Sequence, residues 1–491
     1  MNITYQLEMM PPLPTIFGPV DYRDFRENLE HIDRILVTKD LEMQFIADDL
    51  EHCGIFSPTP KDIEKRQHML RCAILKAITG VDFRELSMRI ADSPLFQWFA
   101  GYSRLSSITT PSKSTLQRYC QVFESWQVQR LIDQCIQVVQ QPEIAQQLLY
   151  RDAEISVSKL FADSTCIKAS IHFPVDWVLL RDGVRTLINA IILIRKEGLL
   201  HRMTEPKKFL SEMNSLCIEM SQARRKTNAA KMRKKILRKM KKLSKLVLTH
   251  GQRYYDLLEA RWEYTRWSRA ETDCILKRID NILVKLPLAI KQAHERIIGE
   301  RPVTSKEKLL SLYEEDVHVI TRGKANAEVE FGNGLYLVEQ ENGLIVDWEL
   351  FEEYPKHDSH CVQDSIEKIK EKFGTIESYT ADRGFDTRDN TKFLDKENIT
   401  NGICPKDPGT LKKKLENLQF VKLQKRRAQT EGRIAILKNA FTGNPLNCRG
   451  FENRKKAVAW CVLAHNLWLL GSMARKARKK LLESQSSSVA A

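Results

Sequence analysis

The sequence has 491 residues, a net charge of +15, and 42% hydrophobic and 29% charged residues. This length exceeds what one hydrophobic core normally serves, so two or three domains are expected. The composition excludes a disordered chain, and eleven scattered cysteines without a Cys-x-x-Cys pair exclude a disulfide framework and a zinc cluster. The excess of basic over acidic residues favours a polyanionic partner. The N-terminal residues have no secretory-signal pattern, so a cytoplasmic protein is predicted.

The first third of the chain is predicted to be helical. Residues 1–20 are Pro-rich and expected to be irregular, and residues 21–150 have apolar residues at three- and four-residue spacing. Gly80 is a helix-end signal, and Asp82 with Glu85 has a capping-box pattern for the next helix. Short helices with such turns are compatible with a helix-turn-helix DNA-binding module, and equally with a plain helical bundle.

The predicted elements then alternate between strands and helices. Residues 159–171 are rich in short and β-branched side chains and predict strands around Asp163. Residues 186–309 predict a basic helical insertion. After it, strands return as an antiparallel meander with a hairpin turn at Asn342-Gly343, and helices and short strands follow.

This order of elements predicts an α/β fold. A mixed-sheet core is expected in residues 151–185 and 310–470, interrupted by the large helical insertion and preceded by the all-α N-terminal domain. Residues 471–491 are basic and then Ser-rich, so a disordered tail is expected. The expected architecture is therefore a mixed α/β sheet, with one helical domain before it in the chain and a second inserted within it.

One apolar stretch tests whether the chain is soluble. Residues 457–474 have no formal charge over 18 positions, which is the lower limit for spanning a bilayer. However, His465 and Asn466 lie at its centre, where lipid would penalise them. The stretch is therefore predicted to be a buried helix that closes the core, and no membrane partner is expected.

Three acidic residues lie at positions suited to metal binding. Asp163 and Asp382 end apolar strands, and Glu431 lies within a helix. Because a buried carboxylate is costly, acids at strand ends usually lie at an edge where they hold a cation. Two Asp and one Glu could hold two Mg²⁺ ions about 4 Å apart, an arrangement that activates water and stabilises a leaving 3′ oxygen. Any one of these acids alone is more commonly a solvated surface residue.

The helix of Glu431 has a distinctive charge pattern. Arg427, Glu431 and Lys438 project within roughly 40° of one direction at about 100° per residue. A carboxylate between two cations suits a site that binds metal and phosphate together. A solvated face with an i,i+4 salt bridge is the alternative.

The same three residues have the R-(3)-E-(6)-K spacing of the last catalytic helix of many insertion-sequence transposases. In that signature a Tyr normally stands three residues before the Arg, where this chain has Gln424. Further segments are similar to the same family, in the same order: residues 162–185, 321–332, 357–374, 379–390 and 462–468. The chain thus resembles the DDE transposases of bacterial insertion sequences, with the ISNCY type as the nearest relatives.

The resemblance implies an RNase H-like catalytic domain in which Asp163, Asp382 and Glu431 are both the catalytic triad and the metal ligands. It implies a two-metal site for Mg²⁺, with Mn²⁺ as a substitute. The implied reaction is phosphodiester hydrolysis at the transposon end, which exposes a 3′-OH that then attacks target DNA. The implied partners are double-stranded DNA of both kinds and a homodimer or larger oligomer on that DNA. Arg427, Lys438 and Lys324 are the implied phosphate-binding residues.

The insertion has features of its own that suit nucleic acid. Residues 224–245 contain twelve Lys or Arg and no acid, so their charges repel unless an anion is near. Within this run, Arg233 and Lys234 are candidate contacts to the DNA backbone. Downstream, Trp262 and Trp267 lie among arginines, as in surfaces that stack unpaired bases. Helix packing explains these aromatic residues equally well.

Two other functions remain open from sequence. One is an RNase H-like nuclease that cuts without strand transfer, which product analysis distinguishes because only a transposase joins a 3′ end to new DNA. The other is a catalytically silent transposase relic that still binds DNA. The intact acids argue against a relic, and Gln424 is the one feature in its favour.

Overall fold

The computed structural model describes residues 12–104, 107–150, 155–223, 227–324, 327–354 and 357–489. The chain divides into two compact units. The first unit comprises Met1–Lys168 and Asn333–Ala491, and the second is Ala169–Gly332. Each unit has its own hydrophobic core, and each is described by itself below.

Helices precede, interrupt and follow the strands. Before the first strand they are α1 (Val20–Val37), α2 (Leu41–His52), α3 (Pro60–Thr79), α4 (Phe83–Asp92), α5 (Pro94–Ala100), α6 (Lys113–Val122), α7 (Ser125–Gln140) and α8 (Pro142–Leu149). In the second unit they are α9 (Asp176–Lys196), α10 (Pro206–Ala223), α11 (Ala229–Arg261) and α12 (Arg269–Ala293). After the central strands they are α13 (Val362–Phe373), α14 (Arg388–Lys396), α15 (Pro408–Leu415), α16 (Leu418–Ile436) and α17 (Phe451–Val489).

The predicted helix boundary near residue 80 is confirmed. Gly80 follows the last residue of α3 and has a φ of 64°, a conformation that glycine adopts without strain. Asp82 caps α4, because its side chain accepts hydrogen bonds from the backbone N–H groups of Arg84 and Glu85. These local signals separate α3 from α4 where the sequence indicated.

The strands are β1 (Lys159–Lys168), β2 (His318–Lys324), β3 (Ala327–Gln340), β4 (Ile345–Leu350), β5 (Ser378–Thr380) and β6 (Thr400–Asn401). They hydrogen-bond in the order β2-β3-β1-β5-β6, and β4 pairs with β3. The β3/β4 pair is antiparallel across the predicted hairpin turn, where Gly343 has a φ of 98°. The β1/β5 and β5/β6 pairs are parallel. These six strands form one mixed sheet within a mostly helical protein.

Helix α17 closes the core of the first unit, as predicted. Its Asn466 accepts a hydrogen bond from the Ile345 backbone N–H at 2.9 Å and donates one to the Ile345 carbonyl at 2.8 Å. Among the described residues it is the one helix long and apolar enough to cross a membrane, and 72% of that apolar window is buried inside the protein. Such burial is typical of the core helix of a folded domain.

Helix α17 also continues through the segment for which a disordered tail was expected. It ends at Val489, and its Arg475 forms an ion pair with Asp24 of α1. Residues 475–482 are Arg, Lys, Ala and Leu, which all favour helix, and contain no Gly or Pro. The sequence after residue 474 therefore has no local signal that ends the helix.

The two units differ from the expected domain boundaries. The apolar face of α9, including Leu180, Val184 and Leu187, lies in the second core, so the helical unit begins before residue 186. The N-terminal helices share the first core with the sheet and do not form a compact unit alone. Both differences arise because burial partners are chosen across long sequence separations.

Candidate active site

Asp163 lies within β1, and Asp382 lies two residues after the end of the neighbouring strand β5. In the parallel β1/β5 pair, Phe161 is opposite Thr380. Continuing this register by two positions sets Asp163 opposite Asp382. Paired strands are about 4.8 Å apart, so the two residues occupy adjacent backbone positions. The Asp382 carboxylate accepts a hydrogen bond from the Gly384 backbone N–H at 2.7 Å, which orients it at the turn after β5.

Asp163 lies on the side of β1 that α16 covers. Side chains at alternate strand positions share a face. Phe161 and Thr165, each two residues from Asp163, both contact the segment formed by α16 and the turn after it. The Arg426 guanidinium lies 4.4 Å from the centroid of the Phe161 ring. Lys438 Nζ, in the π-helical turn after α16, donates to Thr165 Oγ1 at 3.3 Å. Asp163 is therefore flanked by two contacts of the segment that carries the third predicted acid.

The three predicted acids are close enough to interact electrostatically. Burial raises the pKa of the Asp163 carboxyl to about 6, and the charges of Asp382 and Glu431 act in the same direction. The backbone N–H of Ser164 and the charge of Arg427 act against that shift in pKa. Glu431 is the most open of the three, with 64% of its side chain exposed and Oε1 3.8 Å from Arg427 Nη2. The structure thus brings together three acids that are far apart in sequence.

This donor set fits a divalent metal by its chemistry. Carboxylate oxygens are the ligands that Mg²⁺ prefers, and a cation here would offset the repulsion that helps raise the pKa of Asp163. Across the residues that the structure describes, no three His, Cys, Asp or Glu side chains form a group able to hold a metal ion. The acids therefore provide the ligand types without a preformed cage.

The raised pKa of Asp163 predicts a pH-dependent stability of the metal-free protein. The shift runs upward, from 3.8 to about 6, so the stability contribution of this carboxyl is present below pH 4 and is lost as the pH rises through 6. Asp163→Asn is expected to be more stable than the wild type by about 3 kcal/mol at pH 7.5. Chemical unfolding in EDTA from pH 5 to 7.5 measures this difference, and a difference that stays constant over that range contradicts the assignment.

A fourth carboxylate, that of Asp358, lies near the turn that carries Asp382. A Cβ atom added to Gly384 would lie 3.0 Å from Asp382 Oδ1 and 3.2 Å from Asp358 Oδ2. Asp358 begins a short 3₁₀ turn, Asp358–Cys361. The absence of a side chain at Gly384 is what lets both carboxylates approach the turn after β5.

A buried charge network fixes α16 to the sheet. Glu339, at the end of β3, is 1% exposed and accepts hydrogen bonds from Arg426 at 2.8 Å and from Thr430 Oγ1 at 2.7 Å. The Arg426 guanidinium also donates to the carbonyls of Gln340 and Glu341. Arg426 and Thr430 are one helical turn apart, and Glu431 follows directly. The network therefore sets the rotation of the helix that carries the third acid, and no pattern within one segment of the sequence indicates it.

Gln424 has a defined structural role at the position where the family signature has Tyr. Its amide Nε2 donates to the Gly402 carbonyl at 2.6 Å and to the Ala381 carbonyl at 3.2 Å. Ala381 is the residue directly before Asp382. This substitution therefore connects the helix of the third acid to the peptide that precedes the second acid, and is consistent with an intact site.

The remaining predicted DNA-binding residues belong to the second unit. The Arg233 guanidinium lies 5.4 Å from the centroid of the Trp177 ring, and Lys234 forms an ion pair with Glu300 at 2.8 Å. Trp262 and Trp267 are half-buried and pack against the second hydrophobic core. Lys324 ends β2, and its side chain lies outside the described residues.

Comparison with known proteins identifies the sheet-bearing part of the first unit. Residues 333–467 match the family described as the transposase DDE domain, and this match includes Asp382 and Glu431. The chain therefore contains a transposase DDE domain, which implies a transposase function in general, DNA binding, and the divalent metal typical of such enzymes. No curated protein and no solved structure matches the chain significantly.

Proposed function

We propose that this protein is the DDE transposase of a bacterial insertion sequence, of the ISNCY type, with an RNase H-like catalytic domain. Asp163, Asp382 and Glu431 are its catalytic residues and metal ligands. The observation that carries this proposal is the register of β1 and β5, which aligns the two Asp residues beneath the helix of Glu431. The mixed sheet and the DDE-domain match support it.

In this proposal the three carboxylates hold two Mg²⁺ ions, which Mn²⁺ can replace. When bound, such ions activate water or a 3′-OH and neutralise charge on the phosphate that reacts. Arg427 and Lys438 flank the acids and hold the DNA phosphates. Arg427 lies one helical turn before Glu431, with Nη2 3.8 Å from Glu431 Oε1, so its guanidinium is next to the third acid.

The proposed substrates are double-stranded DNA of the transposon ends and of the target. The protein would act in the bacterial cytoplasm, associated with the nucleoid through its DNA. Because two transposon ends must be paired, a homodimer or larger assembly on DNA is part of the proposal. The net charge of +15 favours this binding by attracting the DNA backbone.

The proposal is tested with purified protein, Mg²⁺ or Mn²⁺, and a duplex made from the ends of the element that encodes it. The expected result is strand cleavage followed by joining of the 3′ end to a second DNA. Cleavage without joining would identify an RNase H-like nuclease instead. Tight binding without cleavage would identify a DNA-binding relic.

The close approach at Gly384 makes a further prediction about catalysis. Gly384→Ala is expected to lower metal-dependent cleavage by roughly 10- to 100-fold, because the added Cβ would displace the Asp382 and Asp358 carboxylates by a few tenths of an ångström or more. Initial rates of end cleavage at saturating DNA measure this effect.

The matched control is Gly432→Ala, directly after Glu431. A Cβ added there would meet nothing within 4 Å, and alanine favours the interior of α16. This variant is expected to keep its cleavage rate and to gain about 0.5–1 kcal/mol of stability. Equal loss of activity in both variants would show that Gly384 has no particular role at the acids.

A further inference from the structure

The second unit contains a cationic cleft on its longest helix. Arg238, Lys241, Lys242 and Lys245 line one side of a cavity of about 530 Å³, and His294 with Ile298 lines the other. The four cations occur at offsets of zero, three, four and seven along α11, so they share one helix face. The opposing wall is the π-helical turn His294–Ile298 that follows α12.

One hydrogen bond joins the two walls. Lys241 Nζ lies 2.9 Å from His294 Nδ1, and an ammonium can only donate, so Nδ1 is the acceptor. This contact places the His294 ring against the cations of α11. Burial and the charge of Lys245 lower the pKa of Lys241, so this ammonium lacks full compensation within the protein.

Two cations of α11 outside the cleft have partners within the protein, whereas the cleft cations form no ion pair with an acid among the described residues. Lys234 is paired with Glu300, and Arg233 lies over the Trp177 ring. No carboxylate forms an ion pair with any of the four cleft cations among the described residues. The nearby acid Glu295, which interacts with Lys241, is itself paired with Arg301 at 2.5 Å.

We propose that this cleft binds the phosphodiester backbone of DNA, as a contact separate from the acidic site. The four cations span seven residues, or roughly 10 Å of helix, which matches about three nucleotides of one strand. A linear array of cations suits a repeating polyanion better than a single small anion. The choice of DNA as the polyanion rests on the proposed function.

The test compares two double variants of the full-length protein. Arg238→Gln with Lys245→Gln removes two exposed cations from the cleft, and Lys277→Gln with Arg278→Gln removes two exposed cations from α12. Duplex DNA affinity is measured at several KCl concentrations in EDTA, so that no cleavage is required. The cleft variant is expected to lose roughly 10- to 100-fold in affinity near 0.1 M salt, with a salt slope smaller by about 1.8. The α12 variant is expected to keep the wild-type slope.

Two outcomes would overturn the inference. Equal losses in both double variants would mean that only total charge matters. Inorganic phosphate that raises the melting temperature of the wild type but not of the cleft variant, together with unchanged DNA affinity, would identify a small-anion site. Because binding is measured without metal, failure of cleavage alone would count against the proposed function and leave this result intact.

Discussion

Asp382→Asn and Glu431→Gln are each expected to lower metal-dependent DNA cleavage and joining by at least about 100-fold, while DNA affinity in EDTA stays within about twofold. Loss of residues that merely orient metal ligands costs about 10- to 100-fold, and loss of a ligand should cost more. Both substitutions preserve size and remove one negative charge, so the fold should persist. Gel assays of cleaved and joined products measure the effect.

Asp389→Asn is a suitable control for this experiment. Asp389 is exposed in the first turn of α14, within the same segment of the chain as Asp382. Its substitution removes the same charge and is expected to change neither cleavage nor joining. If Asp382→Asn and Glu431→Gln cut as well as the wild type, these acids are structural and the assignment of the triad fails.

Glu339→Ala is expected to lower the free energy of unfolding by about 3–5 kcal/mol, because it leaves a buried guanidinium without its carboxylate. Glu339 is 1% exposed, and its partner Arg426 has 13% of its side chain exposed. The same loss should reduce cleavage, since α16 would no longer be held in one rotation over β1. Denaturant unfolding of the metal-free protein, followed by circular dichroism, measures the stability.

Glu341→Ala tests the specificity of that effect from two residues away. Glu341 is 54% exposed, and its carboxylate lies 3.3 Å from Lys159 Nζ, so the ion pair is solvated. Its loss is expected to cost no more than about 1 kcal/mol. A similar cost for both glutamates would show that the buried network does not fix α16.

Much of the local structure follows from sequence alone. The end of α3 at Gly80, the cap at Asp82 and the hairpin at Asn342-Gly343 are encoded in a few adjacent residues, and all three are confirmed. The apolar stretch that became α17 was correctly expected to be buried, because polar residues at its centre disfavour lipid. The three acids were also proposed from sequence, because a strand end or the spacing within one helix involves only residues that are close together in the chain.

Only the tertiary structure decided how these pieces meet. The alignment of Asp163 with Asp382 depends on the β1/β5 register, and the partners of Gln424 and Glu339 lie on other elements. The unit boundaries likewise depend on which core buries the face of α9. Strand register and burial are set by contacts between residues far apart in the chain, and no periodicity within one segment specifies them.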